Sequence, residues 1–299
     1  PGDIDPNNPE PAGSIDLFAE DFKITQVMKV NLAVDQKLPW GLIGTAEFLY
    51  TKFLNYVRYQ NLNLRPSTQR LTGSPDDRPI FNRRDEIDDT YSRILLATNT
   101  NNGYAWNAAF TLTKPFTNGL QAQVSYSYGD AQTLFDGTSS QNSSQWRGLH
   151  AINGRNSQTE VARSDFAQGS RIAASVSYRK EYGGFAASQL SLFYNGQSGQ
   201  PFSYIYNGGQ NLQNEDSRNR ALIYVPRNAS EINLVDAFDG DGNLIATSEQ
   251  QWVALNRFIE RDDYLSERRG QYAERNQSRT PFESILDLKF QQDFYIENG

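Results

Sequence analysis

The segment 170–206 constrains the fold of this chain more than any other stretch. Apolar and polar residues alternate along its first half, so that Ile172 and Val176 fall on the side opposite Arg171. Because successive side chains of a β-strand point to opposite faces, this pattern predicts a strand with one apolar and one polar face. Residues 182–184 (Tyr-Gly-Gly) predict a tight turn, and a second alternating run follows it. The segment is therefore predicted to form a long β-hairpin.

The composition excludes several classes of protein. The chain of 299 residues carries a net charge of −7, which argues against nucleic acid as a partner. Its apolar runs are short, as in Ile94–Ala97, whereas a transmembrane helix needs about 20 apolar residues. It contains no cysteine, which excludes disulfides and thiolate metal sites. A β-protein remains, either soluble or crossing a membrane as a barrel, since barrel strands carry only a weak hydropathy signal.

Alternating patterns predict seven long antiparallel strands and three long connections. The strands are predicted near residues 22–37, 42–63, 91–114, 119–130, 170–182, 185–206 and 282–296. The long connections are 64–90, 131–169 and 207–281, and the proline-rich residues 1–21 are predicted to form a further loop. One helix is predicted near 248–262, with Ser248 and Gln251 as its capping box.

Residues 101–103 (Asn-Asn-Gly) offer a hairpin turn inside the predicted strand 91–114. A turn there would bring the next long connection to the same end as the short turns. A single bent strand, kinked at Gly103, keeps every short turn at one end and matches the length of its neighbour 42–63. We therefore expect one bent strand.

Short turns and long connections alternate along the predicted strands. This asymmetry is typical of outer-membrane barrels, in which short turns face the periplasm and long loops face the outside. A β-sandwich is the alternative, but its strands seldom exceed about ten residues. We therefore predict an all-β fold, an antiparallel transmembrane barrel segment in the outer membrane of a Gram-negative bacterium, with lipid against its apolar face. Seven strands cannot close an even-numbered barrel, so we expect both ends to continue into a larger one.

Motifs spread over nearly the whole chain resemble those of a known family. They are FKITQVMKVNLAVDQKLPWGLIGTAEFLYTKFLN (22–55), Asn99-Thr100 with Gly103-Tyr104, Lys114-Pro115-Phe116, SLFYNGQSGQPFSYIYNG (191–208), LIYVP (222–226) and RRGQYAERNQSRTPF (268–282). On these residues the chain resembles the TonB-dependent outer-membrane receptors of the Oar-like type found in Bacteroidetes. It departs from the family at Gly169-Ser170-Arg171, where members tend to have Pro-His-Arg, and before LIYVP, where the segment is not Asp/Gly-rich.

The resemblance implies a barrel of about 22 strands, of which this chain forms a part. It also implies a plug that carries the TonB box, lies outside this chain, and opens the lumen when an inner-membrane complex acts on it through TonB. The function implied is active transport of a ligand that binds at the extracellular loops and in the lumen. A surface lipoprotein or other subunits are further candidate partners. We expect no enzymatic activity and no catalytic residue.

Two other functions stay open at this point. A secreted or surface β-protein that binds glycans or other cells would carry the same alternating pattern. A barrel hydrolase would need a histidine, and the chain has one, His150, in a polar predicted loop. A solvated loop histidine is the simpler interpretation.

Four aromatic residues in or near the predicted loops are the candidate substrate-binding residues: Trp146, Tyr204, Tyr206 and Trp252. Aromatic rings combine a large apolar surface with a polar edge, which suits glycans and peptides. The alternative is that each ring belongs to an aromatic girdle or to the core of a loop.

One loop segment resembles a calcium loop in its pattern of oxygen-bearing side chains. The candidate Ca²⁺ ligands are Asp239, Asp241 and Asn243, with Asp236 as a further one. Oxygen ligands at alternate positions can point at one ion, and the intervening glycines permit a tight turn. The twelfth position, however, is Gln250 instead of the usual glutamate. A glycine-rich turn that leads into a hairpin is therefore the alternative.

Four arginines near the end of the last connection offer positive charge to an anionic ligand: Arg268, Arg269, Arg275 and Arg279. Their acidic neighbours Glu267, Glu274 and Glu283 favour a structural salt-bridge network instead.

Overall fold

The structure, a computed structural model, describes residues 13–82, 86–206, 212–216 and 220–295. Its longer strands are β1 (Ser14–Phe18), β2 (Gln26–Leu38), β3 (Leu42–Asn61), β4 (Arg93–Thr100), β5 (Tyr104–Thr117), β6 (Leu120–Thr133), β7 (Gly169–Tyr182), β8 (Ala186–Gln197) and β9 (Glu283–Phe294). Together with the short strand Ala162–Arg163, they form a single ten-stranded sheet.

The order of the long strands follows the chain. β3 pairs antiparallel with β2 along one edge and with β5 along the other, and β6, β7, β8 and β9 then follow in turn. β1 is the exception, because it pairs in parallel with β4. Within the described ranges β2 and β9 each pair with one strand only, so the sheet has two open edges there.

The even-numbered residues of the long strands form one continuous apolar face. One row across five neighbouring strands contains Val34, Ala46, Phe110, Tyr126 and Ile172. Large side chains on this face are exposed, with 65% for Val34 and 61% for Phe110. A soluble monomer rarely leaves so large an apolar surface uncovered. Such a face is suited to contact with the hydrocarbon chains of lipids.

The odd-numbered residues form a polar second face. In the row next to the one above, the Thr45 hydroxyl donates to Asp35 at 2.6 Å and the Thr111 hydroxyl donates to Ser125 at 3.0 Å. Arg179 on β7 reaches across β8 to pair with Asp293 on β9 at 2.5 Å. Hydrogen bonds between side chains of neighbouring strands therefore hold the polar face together.

The short turns impose backbone conformations that their residues suit. Asn118 and Gly119 connect β5 to β6 with φ angles of 52° and 82°, as a two-residue hairpin turn with two positive φ angles requires. A Cβ atom on Gly119 would lie 2.3 Å from the carbonyl oxygen of Arg179, so glycine is required there for space as well as for conformation.

Residues 101–103 do not form a hairpin. The pairs Lys52–Tyr104 and Tyr56–Thr100 keep one register, and the Phe53 amide donates to the carbonyl of Gly103 at 3.3 Å. β4 and β5 therefore run along β3 as one line. This confirms the expected single path, although the strand is interrupted at 101–103.

Two predicted boundaries are wrong. The strand predicted at 185–206 ends at Gln197, because the chain then turns so closely past Thr280 that a Cβ atom on Gly199 would lie 2.1 Å from the Thr280 carbonyl oxygen. The alternation of aromatic residues continues beyond Gln197 although the strand does not. The predicted loop 1–21 contains β1, whose pairing with β4 lies far away in sequence and leaves no local signal.

The long connections carry short strand pairs and short helices. The pairs are Gln69–Arg70 with Pro79–Ile80, Pro201–Phe202 with Ser278–Arg279, Tyr224–Val225 with Gln271–Tyr272, and Ala237–Phe238 with Leu244–Ala246. The helices are α1 (Asn142–Arg147), α2 (Ser248–Arg261) and α3 (Asp263–Glu267), with 3₁₀ turns at Pro39–Gly41, Arg155–Ser157 and Ala229–Glu231. We call the described residues of 62–92, 134–168 and 198–282 the loop module.

The loop module has apolar cores of its own. One cluster buries Leu95, Leu134, Phe135, Trp146 and Leu149 against the end of β3. A second cluster buries Val225, Ile259 and Leu265, with Tyr204, Ile223, Leu255 and Tyr264 packed around them. The long connections are therefore folded structure and not open loops.

The capping box of helix α2 lies one residue earlier in the chain than the sequence predicts. Thr247, and not Ser248, is the N-cap: its hydroxyl accepts from the Gln250 amide at 3.2 Å, and the Gln250 side chain accepts from the Thr247 amide at 2.9 Å. In the described ranges, no helix combines the length and the apolar character that crossing a membrane would require.

Aromatic side chains mark both ends of the apolar face. Trp40, Phe116 and Phe185 are exposed at the short-turn end, and Trp106 packs against Tyr128 at the other end with ring centroids 5.5 Å apart. Trp106 and Phe116 are separated by about 33 Å along β5 at about 3.3 Å per residue, which a strand tilt of about 40° reduces to about 25 Å. That is the height of the apolar band in outer-membrane barrels.

A charge on the apolar face should destabilise the fold. Val176→Lys should cost about 2–4 kcal/mol, the range for lysine near the bilayer midplane. Ser177→Lys, one residue away on the polar face, is the matched control and should be tolerated. The measurement is equilibrium unfolding of the whole protein in lipid vesicles, and equal losses in both variants would contradict the assignment of the faces.

Candidate functional site

Arg275 joins two of the long connections through backbone carbonyls. Its guanidinium donates to Leu134 O at 2.6 Å, to Ala162 O at 2.8 Å and to Arg163 O at 3.2 Å, and the residue is only 7% exposed. A buried charged donor shared by several carbonyls is a strong tether, because each carbonyl would otherwise lose a hydrogen bond. The loop module is thus held together by Arg275 as well as by apolar packing.

The other three arginines of the predicted cluster are also engaged within the protein. Arg279 donates to the carbonyls of Gly199 and Ala167 at 3.0 and 2.8 Å. Arg268 pairs with Glu274 at 2.8 Å, and Arg269 donates to Asn256 at 2.7 Å. The cluster is therefore structural, but its bonds differ from the predicted salt-bridge network: of the three acidic neighbours, Glu274 is the one seen in an ion pair among the described residues, and Arg275 and Arg279 donate to backbone carbonyls instead.

Two of the ion pairs of the loop module are buried on both sides. Arg155 pairs with Glu215 at 2.9 Å and Arg78 pairs with Asp76 at 2.8 Å, and all four side chains are at most 4% exposed. Burial raises the pKa of Glu215, and the charge of Arg155 opposes that shift. Breaking such a pair is costly, because it leaves an uncompensated buried charge.

Trp146 is not in a position to bind a substrate. It has no exposed surface, its indole N–H donates to Asn156 Oδ1 at 3.0 Å, and the Arg155 guanidinium lies 5.2 Å from its ring centre. The ring fills the first apolar cluster of the loop module. The loop-core alternative therefore applies to Trp146, and its assignment as a binding residue is corrected.

Tyr204 packs against the second apolar cluster. The Tyr204 hydroxyl donates to the Asp262 carboxylate and its ring contacts the Phe258 ring edge-on, at 6.0 Å between centroids. Burial and this carboxylate raise the pKa of Tyr204 to about 12. Trp252 is half-buried on α2. Tyr204 is thus a structural residue of the cluster.

Tyr206 lines a cavity of about 550 Å³, which we call the tyrosine cavity. Its walls come from three separate parts of the chain: Leu71, Thr72, Gly73, Ser74, Asp76, Tyr206, Leu212, Tyr224, Ala229, Ser230, Glu231, Ile232 and Asn233. Of the four predicted aromatic residues, Tyr206 is the one that contributes to this cavity.

The candidate calcium residues form a hairpin turn. Asp239 Oδ1 accepts from the amides of Asp241 and Asn243 at 3.0 and 2.8 Å, and Asp239 Oδ2 accepts from the Asn243 side-chain amide at 3.0 Å. Asp236 accepts from the amide of Ser248 at 2.7 Å. The described residues contain no group of three or more His, Cys, Asp and Glu side chains placed to hold a metal. This geometry matches the glycine-rich turn.

His150 lies between two polar cavities of the loop module. The cavities, of about 470 and 330 Å³, share His150 and Arg275 in their walls. The imidazole Nδ1 lies 3.3 Å from the carbonyl of Arg220. Burial, followed by the charge of Arg220, lowers the pKa of His150 to about 4. The histidine is therefore neutral at pH 7 and is not the solvated side chain that the sequence predicted.

The fold and its two faces define a membrane β-sheet of the outer-membrane type, because one apolar face lies between two aromatic bands and the other face is polar. The chain belongs to the outer membrane beta barrel domain family, whose model matches residues 2–299, and it is an outer-membrane protein. No curated protein and no solved structure matches it.

Most residues of the tyrosine cavity gave no signal in the sequence. Asp76, Tyr224 and Glu231 stand in segments without a motif for binding, and they meet only when the connections pack together. The sequence pointed to this region in two places: Tyr206 was a candidate binding residue, and Tyr224 falls within the LIYVP segment.

Replacement of Arg275 should loosen the loop module. Arg275→Met should lower its free energy of unfolding by at least about 3 kcal/mol, since the carbonyls of Thr133, Leu134, Ala162 and Arg163 lose a charged donor at about 1–3 kcal/mol for each buried one. Limited proteolysis within residues 131–169 of the whole protein is the measurement. Arg257→Met, on the exposed face of α2, is the control, and equal cleavage rates for the two variants would refute the tether.

Acid should destabilise the loop module through His150. Its folded pKa of about 4 lies below the unfolded value of about 6.5, so below pH 6.5 the unfolded chain binds a proton that the fold excludes. About 2 kcal/mol of stability should be lost between pH 7 and pH 5. Thermal unfolding followed by tryptophan fluorescence measures this loss. His150→Gln should flatten the pH profile, and an unchanged profile would contradict the assignment.

Proposed function

We propose that this chain is part of the barrel wall of a TonB-dependent transporter and that its loop module receives the ligand. The observation that carries the proposal is the division of the chain into a lipid-facing sheet and a separately packed module with cavities, all of it at the end opposite the short turns. The resemblance of segments 22–55, 191–208 and 268–282 to Oar-like receptors supports the same function.

In this proposal each part of the chain has a separate task. The ligand binds first to the loop module and then passes along the polar face of the sheet. A plug elsewhere in the whole protein closes the lumen, and TonB moves that plug with energy from the inner membrane. A surface lipoprotein or another subunit is a candidate partner at the loop module. No bond is made or broken, so the chain acts without catalytic residues.

Two alternatives fit the structure less well. A soluble secreted protein would expose to water the face that contains Val34, Phe110 and Leu288, which are 65%, 61% and 70% exposed. A hydrolase that uses His150 as its base would need an accessible imidazole that binds a proton near neutral pH. His150 is half-buried, and desolvation lowers its pKa to about 4, so it binds a proton only in acid.

The test uses the whole protein that contains this chain, purified in detergent. We expect it to bind the periplasmic domain of TonB saturably in microscale thermophoresis. We also expect no steady ion conductance in planar bilayers, because the plug fills the lumen. The sheet variant Ser177→Lys serves as the control, since it should change neither result.

A porin-type protein would behave differently. Absence of TonB binding together with a steady open-channel conductance would overturn the proposal, because a passive pore needs no energy source and no plug.

A further inference from the structure

We propose that the tyrosine cavity binds a neutral sugar unit, most simply one residue or two of an oligosaccharide. The inference rests on the proposed function and deepens it, because it names the class of ligand that the loop module receives. The cavity volume of about 550 Å³ falls in the range of about 300–1,000 Å³ that is usual for small-molecule sites.

The charged groups of the cavity are already compensated. Among the described residues that line it, the charged ones are Asp76 and Glu231. Asp76 accepts from Arg78 Nε at 2.8 Å, and Glu231 accepts from Arg227 Nη1 at 2.9 Å. An anion would meet carboxylates at the cavity wall, and a cation would have to compete with a bound arginine at each one. A ligand without net charge avoids both costs.

The walls are mixed in polarity. Tyr206 and Ile232 offer apolar surface, whereas Thr72, Ser74 and Asn233 offer hydroxyl and amide groups. A purely apolar ligand would remove water from those polar groups and give them no partner, which costs free energy. A sugar ring has an apolar C–H face and an edge of hydroxyls that donate and accept, so it can satisfy both kinds of wall.

Hydrogen bonds fix the aromatic part of the cavity before any ligand arrives. The Tyr224 hydroxyl donates to Glu231 at 3.0 Å, and the Tyr206 hydroxyl accepts from the Tyr224 amide at 3.2 Å. The Arg78 guanidinium lies 5.3 Å from the centre of the Tyr206 ring. Side chains that are already ordered lose little conformational entropy on binding, which favours weakly interacting ligands such as sugars.

A peptide is the other neutral ligand to consider. Extended peptides are commonly bound by pairing their backbone with an open strand edge. The lining residues that carry the polar character here are side chains on turns and on the ends of short strands. This arrangement favours hydroxyl groups over a peptide backbone as the ligand chemistry.

The test titrates the whole protein in detergent with maltotriose, cellotriose, xylotriose and chitotriose by calorimetry. We expect saturable binding of at least one of them. Ile232→Trp should weaken that binding at least tenfold by filling the cavity, and Tyr206→Ala should weaken it by a similar factor. Ile245→Trp, the same change at an exposed position of the same module, should leave it unchanged.

Three results would overturn the assignment. They are no binding of any of the four sugars at about 1 mM, equal binding by the two tryptophan variants, and displacement of the sugar by trilysine or trialanine. TonB binding separates the two proposals, and Ile232→Trp should bind TonB as the wild type does. If the wild type binds TonB but none of the four sugars, the proposed ligand class is wrong and the transport function stands.

Discussion

The backbone of this chain must find its hydrogen bonds within the sheet, because hydrocarbon offers none. This constraint explains why the strands from β2 to β9 form one antiparallel ladder, with even-numbered side chains on the same face and register shifts only at Gln26–Val27 and Lys114–Thr117 in the described strands. A shift of one residue in any pair would bring a polar row into the lipid. The aromatic bands, the polar face and the placement of the turns all depend on this single register.

The loop module follows a different rule. The backbone groups of its segments could form hydrogen bonds with water. Its arginines nevertheless donate to carbonyls of distant connections, as Arg275 does to Leu134 and Ala162. Such bonds order long connections without regular secondary structure, at the price of burying charge. The result is a set of cavities with fixed walls above a sheet that serves as a rigid base. Binding surfaces placed on a stable scaffold in this way are common, because loops tolerate change more easily than strands do.

The sequence was sufficient for features that depend on neighbouring residues. Alternation along β7 predicts the two faces directly, and Asn118-Gly119 predicts the turn between β5 and β6, because strand and turn geometry are local properties.

The sequence was insufficient where contacts between distant segments determine the structure. The capping box moved from Ser248 to Thr247 because both hydroxyls can cap a helix, and packing selects between them. Trp146 could not be assigned to a core in advance, since its partners Leu95 and Leu134 come from other segments. The tyrosine cavity draws on residues more than 100 positions apart, such as Asp76 and Glu231, and no local pattern could reveal it.

The lack of cysteine makes a direct test of the two faces straightforward. Single cysteines at residues 172–178 of β7, in the whole protein reconstituted in lipid vesicles, can carry an environment-sensitive fluorophore. Quenching by brominated lipid acyl chains should then alternate, strong at Ile172, Ala174, Val176 and Tyr178 and weak at Ala173, Ser175 and Ser177. Quenching that does not alternate along the strand would contradict the claim that one face of this sheet lies in the membrane.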